Sequence, residues 1–262
     1  MKSVITLTTD FGLTDPYVAA MKGVIISICP FAYIIDITHD VPKFDVRGGA
    51  YLLYTATRYF PPGCIHVAIV DPGVGTPRRA IAIKTRKSIY VGPDNGVLSI
   101  ATQHEGVEKV VEITERKYMM ASISSTFHGR DIFAPVAAYL ATGTPVEALG
   151  VEVNDYVKIA PSNVKVEEGM IKGEVWWIDG FGNIVTNIDN WLADKLKLGD
   201  TITVRVNTKQ YKALFASTYG NAAPGTLLLI PGSGGLLEIA VNLGNAAKLL
   251  NAKVGDTVEI KR

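Results

Sequence analysis

Residues 65–80 read IHVAIVDPGVGTPRRA. Ile65–Val70 is a dense apolar run of strand length, which predicts a buried β-strand. Asp71 follows at its mouth, then Pro72 and the glycines 73 and 75, and then the pair Arg78–Arg79. Proline fixes φ and the glycines admit positive φ, so the carboxylate sits on a defined turn. An Asp-Pro-Gly turn is common as plain structure, so the pattern leaves a structural and a chemical role both open. Which of the two arginines turns back toward Asp71 is also left open.

Outward from this strand, short apolar runs alternate with helix-like ones. Val4–Thr8, Tyr33–Ile37, Ala80–Lys84 and 88–92 read as strands. Asp15–Ile28, with Pro16 in its first turn, Val46–Tyr59, the stretch NGVLSIATQH (95–104) and Asp131–Thr142 read as helices. This alternation predicts an α/β domain over residues 1–158 with a mainly parallel central sheet. Pro, Ser, Asn and charge then gather near residues 158–168, which predicts a linker. Over 168–262 short strands are separated by Gly, Asn and Asp turns, with short helices only at Asn190–Leu196 and Asn245–Leu250. That pattern predicts a small β-barrel or sandwich.

Composition narrows the functional class. The 262 residues are 48% hydrophobic and 19% charged, with a formal net charge of +1. That is no electrostatic footprint for nucleic acid or an anionic membrane. The longest apolar stretch, Val24–Ile37, carries Pro30 and Asp36 and is not a membrane span. MKSVITLTTD at the start has no signal h-region. Cys29 and Cys64 lie in apolar surroundings and read as buried thiols. The expectation is a cytoplasmic protein in a reducing compartment.

Polar residues collect where apolar strands end, at Thr8-Thr9-Asp10-Phe11-Gly12, at Asp36 with His39-Asp40, and at Asp71. Ligands of open α/β sheets bind outside the carboxyl ends of strands. Asp10 can equally be a helix cap. His128, in SSTFHGRDIFAPVAAYL, stands just before a helix start, where the dipole favours neutral imidazole, or it is a plain surface-loop histidine. His39, Asp40, His66, Asp71, His104 and His128 are the candidate metal ligands, but none shows HxH, HExxH or CxxC spacing, so no metal is expected. In the second half, DGFGNIVTNI (179–188) sets Phe181 between two glycines and follows it with Asn183. Such an aromatic can lie against a ligand ring while the amide reads its edge, or the segment is a hairpin turn. PGSGGLLEIAVN (231–242) can bring Ser233 and backbone amides to an anion, but it lacks the Gly-Lys-Ser/Thr of a phosphate loop.

TLTTDFG, IVDPGVG with its arginine, GPDNGVLS, TFHGRDIFAP, DGFGNIVTNI and GSGGLLEIAVN occur in this order across nearly the whole chain. Together they resemble the S-adenosyl-L-methionine hydroxide adenosyltransferases, relatives of the bacterial fluorinase and chlorinase. The resemblance implies a C-terminal β-barrel, a homotrimer, and S-adenosylmethionine bound between one subunit's N-terminal domain and its neighbour's C-terminal domain. It implies hydrolysis of S-adenosylmethionine to adenosine and L-methionine, with no cofactor. It places the family's Asp–Arg–His set on Asp71, Arg78 and His128, the ribose-binding carboxylate on Asp10, and the Asp near the methionine amine on Asp179. The adenine pocket falls on Phe181 and Asn183, the methionine-side serine on Ser233, and the adenine–ribose lining on Glu238 and Val241. Phe44 stands where the halogenases carry a Trp. Those enzymes also have an insertion before the GPDNGVLS-type segment, whereas here Arg78 reaches Gly92 in 14 steps. They carry Tyr where Asp71 and His128 stand, and Ser in place of Gly129. A carboxylate repels halide and accepts a proton, so water is the expected nucleophile. The competing readings are a halogenase, a non-catalytic adenosine or S-adenosylmethionine binder, and a nucleotide metallohydrolase.

Overall fold

The structure, a computed structural model, describes residues 3–159, 164–167 and 169–261. The chain divides into two compact units, Met1–Ile159 and Ala160–Arg262. Of the expected linker, residues 160–163 and 168 lie outside the described residues.

The first unit runs β1 (Val4–Thr9), α1 (Tyr17–Ile28), β2 (Tyr33–Thr38), α2 (Val46–Thr57), β3 (Ile65–Ile69), β4 (Ala80–Thr85), β5 (Ile89–Pro93), α3 (Ser99–Glu105), β6 (Val107–Ile113), α4 (Ala134–Ala141) and β7 (Gly150–Glu152). The strands form one sheet in the order β2-β1-β3-β5-β4-β6-β7. β2, β1, β3 and β5 are mutually parallel. Helical crossovers α1 and α2 join the first three of these strands, as parallel neighbours require. β4 turns back onto β5 through a tight turn, in which the Thr85 hydroxyl accepts from the Ser88 amide, so this pair is antiparallel. β6 and β7 extend that antiparallel edge. Every residue of β3 is buried, because helices cover both faces of the sheet there. Ile65, Val67 and Ile69 pack with Met21, Ile25 and Phe133 on one side. Ala68 and Val70 pack with Leu53, Leu98 and Ala101 on the other.

The second unit contains β8 (Lys165–Glu167), β9 (Met170–Ile178), β10 (Ile184–Asp189), β11 (Thr201–Val206), β12 (Lys209–Phe215), β13 (Leu227–Pro231), β14 (Leu236–Val241), α5 (Ala246–Leu250) and β15 (Thr257–Lys261). The pairing runs β10-β14-β13-β12-β11-β15-β9, and β9 also pairs with β10. That last ladder decides for a barrel over a sandwich: seven strands close on themselves, and β8 lies outside against β9. Closure removes free strand edges. Val175, Ile184, Ile202, Val204, Leu229, Ile239 and Val258 fill the interior. The expected helix at Asn190–Leu196 is a single tight turn over Asn190–Ala193.

Candidate active site

In the first unit, the turn after β3 carries Asp71. Its carbonyl accepts from the Val74 amide, and Gly75 takes φ +78°. A Cβ at Gly75 would stand 2.3 Å from the Ser125 carbonyl oxygen, so the turn lies directly on the segment that leads to His128. Arg78 folds back over this turn. Its Nε donates to both Asp71 oxygens at 3.0 Å, and a terminal nitrogen donates to Oδ2. The same terminal nitrogen lies 2.9 Å from His128 Nδ1. The side chains are well covered, Arg78 at 10% and Asp71 at 5% exposure. Arg79 turns away, pairing with Asp94 at 2.6 Å and Asp155 at 3.0 Å. Adjacent residues in extended chain point to opposite sides, so only one arginine can reach Asp71.

His128 stands at the head of a π-helical turn, Gly129–Phe133, which runs into α4. Such turns are rare and recur at functional sites. The expected helix from Asp131 is therefore α-helical only from Ala134. Burial, and next the Arg78 guanidinium, hold the His128 pKa below its ordinary value. Arginine is always the donor, so Nδ1 accepts and the neutral ring carries its proton on Nε2.

Asp10, 6% exposed, does not cap α1, whose N-cap is Pro16. Its Oδ2 accepts from the Phe44 amide at 2.9 Å, and the Lys43 ammonium bonds its carbonyl. Phe44 sits at φ +66° with its ring largely exposed. Asp10, Phe44, Asp71 and His128 share the wall of one cavity of about 330 Å³. Phe11, Tyr17 and Phe127, mutually edge-on with centroids 5.1–5.9 Å apart, form its aromatic side.

In the second unit, the β9–β10 connection is a hairpin turn, and it also carries a constellation. Asp179 Oδ1 accepts from the Phe181 and Asn183 amides at 2.9 and 2.8 Å, and Oδ2 accepts from the Asn183 side chain at 2.9 Å. The hairpin-turn reading of DGFGN is therefore seen directly. Gly182 takes φ +86°, and a Cβ there would fall 2.0 Å from the Asn245 side chain. Phe181 is 80% exposed. Asp179, Phe181, Asn183, Ser233, Glu238 and Val241 line one cavity of about 590 Å³. Burial raises the Glu238 pKa.

The other histidines lie elsewhere. His39 bonds Thr9 and Asp36, His66 bonds Thr6, and His104 packs edge-on against Tyr54. Among the described residues, no three His, Cys, Asp or Glu side chains come together as a metal site requires. Cys29 and Cys64 are free and buried. No helix among them is long and apolar enough to cross a membrane.

Two family models match this chain in tandem: the SAM hydroxide adenosyltransferase N-terminal domain over residues 5–150 and its C-terminal domain over 173–259. The chain belongs to this family. Its relatives include the (R)-S-adenosyl-L-methionine hydrolases of Salinispora tropica, 42% identical over 98% of this chain and 97% of that protein, and of Methanocaldococcus jannaschii, 40% identical over 98% and 95%. A fluorinase from an Actinoplanes species is 28% identical over 99% and 97%. That alignment spans 292 positions against a chain of 262, so at least 30 fluorinase positions have no counterpart here. A crystal structure of an uncharacterized conserved protein from Thermotoga maritima superposes with a TM-score of 0.94, is 44% identical, and covers 98% of this chain and all of its own.

In this member of the family, sequence reasoning missed Lys43, Phe127 and Tyr219. Tyr219 lines the second cavity, and its hydroxyl donates to Glu238 at 3.1 Å. Burial and next the Glu238 charge push its pKa up to about 12. Its signal was present in STYGNAAPG (217–225), an aromatic beside glycine in a turn, the same pattern that marks Phe181. Lys43 and Phe127 are neighbours of the residues singled out and carry no separate signal.

Proposed function

We propose that this chain hydrolyses S-adenosyl-L-methionine to adenosine and L-methionine. The (R) in the relatives' name refers to the sulfonium, since L already specifies the amino-acid carbon, and that epimer is the proposed preferred substrate. The observation that carries the reading is the Asp71–Arg78–His128 set: Asp71 and His128 line the cavity, and Arg78 bonds both of them.

The reaction is an in-line displacement at the ribose C5′ carbon. Water supplies the oxygen, the C5′–S bond breaks, and methionine leaves as a neutral thioether. Water is a poor nucleophile, with a pKa near 15.7. The oxygen becomes strongly acidic as the C–O bond forms, so a modest base positioned beside it suffices. His128 Nδ1 is taken by Arg78, which leaves the acceptor role to Asp71. Arg78 keeps its charge throughout and holds the carboxylate in place. The balance is one cation and one water in, two neutral products and one proton out. No cofactor enters.

Asp10 is assigned to the ribose hydroxyls, Phe181 and Asn183 to adenine, Asp179 and Ser233 to the methionine end, and Glu238 and Val241 to the adenine–ribose lining. With both Asn183 N–H groups directed at Asp179 and Tyr219, its Oδ1 remains to accept from the adenine amino group. The family resemblance further supports a cytoplasmic homotrimer with sites formed between copies. Incubation with each sulfonium epimer, in the presence of chloride or fluoride, tests the reading. Chromatography should show adenosine and methionine alone. A 5′-halogenated nucleoside would favour the halogenase, and binding without methionine release would favour a sensor.

A further inference from the structure

Asp131 is 1% exposed and does not line the cavity. Its Oδ2 accepts from the Ser124 amide and from the Ser124 hydroxyl, both at 2.8 Å. Arg130 donates to Oδ1 at 2.7 Å and to Oδ2 at 3.1 Å. The Ser124 hydroxyl in turn accepts from the Phe127 amide at 3.0 Å. Asp131's own carbonyl accepts from the Met120 amide, and its amide donates to the Phe127 carbonyl. Burial alone would raise this carboxyl, but Arg130 and the two Ser124 donors hold its pKa below the ordinary range, so it is charged at neutral pH. One buried carboxylate therefore closes the segment ahead of it into a loop whose last residue is His128.

The loop is pinned on its other side as well. The Ser125 carbonyl rests on Gly75 of the Asp71 turn, and the Ser124 backbone faces the His128 ring. Three charged side chains act on that ring: Arg78 and Asp71 from the turn opposite, and Asp131 from its own turn. Ser124 thus joins the Asp131 carboxylate to the backbone that faces the imidazole.

We propose that Asp131 is a positioning residue, which through Ser124 keeps His128 seated on Arg78 at the cavity wall. This rests on the hydrolase reading of that wall. Asp131→Asn keeps an acceptor oxygen but removes the charge, and Ser124→Ala removes only the hydroxyl bridge. In the intact chain, Asp131→Asn should lower kcat by about 10–100-fold, the range that a small misplacement costs. KM should stay within about threefold, because ground-state binding is untouched. The acid limb of the kcat profile should move to lower pH, since a negative charge near His128 is lost. A loss of kcat that merely follows the unfolded fraction, with the acid limb unmoved, would overturn the proposal.

If Asp131→Asn does not fold, Ser124→Ala carries the test. It should lower kcat several-fold and shift the His128 ring nitrogen resonances, assigned by comparison with His128→Gln. No change in either contradicts the proposal. The two readings fail separately. A wild-type protein that releases no adenosine sinks the hydrolase reading, while the ring resonances still report whether Asp131 sets the imidazole.

Discussion

Asp71 and Arg78 form a forked, nearly buried pair, and such pairs are positioned more firmly than point contacts. Asp71→Asn removes the charge and the proton acceptor but nearly preserves shape. Turnover should fall by roughly 10²–10⁴-fold, the usual worth of a positioned base. The S-adenosylmethionine Kd, measured by calorimetry, should stay within a few-fold of wild type, and an equal loss of both would remove Asp71 from the chemistry. Arg78→Lys keeps the charge but loses the fork that spans Asp71 and His128, so kcat should drop there too, while Arg79→Lys should leave it near wild type. The Asp71 turn was legible because proline and glycine mark rigid turns wherever they stand. The choice between Arg78 and Arg79 was not, because it depends on the phase of the extended segment entering β4, and a one-residue slip reverses it. Lys43 stayed hidden for a related reason, and Tyr219 carried a turn signal but not its partner. The contacts themselves run across loops, Lys43 to the Asp10 carbonyl and Tyr219 to Glu238, and no local pattern encodes those partners.

At the scale of elements, each cavity has beside it one glycine turn in which a side chain would collide with its neighbour. Gly75→Ala would place a methyl group against the Ser125 carbonyl at positive φ, and should cost at least about 1 kcal/mol of stability together with most of the turnover. Gly182→Ala meets Asn245 in the same way, and should weaken S-adenosylmethionine binding more than it slows a bound substrate. Melting temperature, Kd and single-turnover rate measured on both variants separate these effects. An alanine variant with wild-type values would show that the turn relaxes freely. Helix–strand alternation revealed α1, α2 and β1–β3; β1 and β3 are dense apolar runs because both faces of the sheet are covered there, while β2 is a half-exposed edge strand. β6 was passed over. Its sequence VEKVVEI intersperses charge, and its first residues are exposed on the antiparallel side. The π turn was invisible, since GRDIF has no composition that separates it from an ordinary first helical turn.

For the whole molecule, acid is the predicted weakness. His66 is fully buried between Phe60 and Tyr90, and burial drives its pKa down to about 3 from 6.5. The unfolded chain takes up that proton as pH falls through 6.5, while the folded chain resists until about 3. Stability from this residue is therefore complete above pH 6.5 and is lost progressively below it, at up to about 1.4 kcal/mol per pH unit. Denaturant melts of wild type and His66→Gln between pH 7 and 4 should show the variant losing less, and parallel curves would contradict the assignment. Chelator treatment should leave turnover unchanged, and a loss would revive the metallohydrolase. The central claim is that water, held at the Asp71–Arg78–His128 wall, attacks C5′ of the adenosyl group. It is tested most directly by turnover in ¹⁸O-labelled water followed by mass spectrometry. One heavy oxygen is expected in adenosine, at the 5′-hydroxyl, and none in methionine. Unlabelled adenosine, or cleavage on the other side of sulfur to give methylthioadenosine, would contradict it.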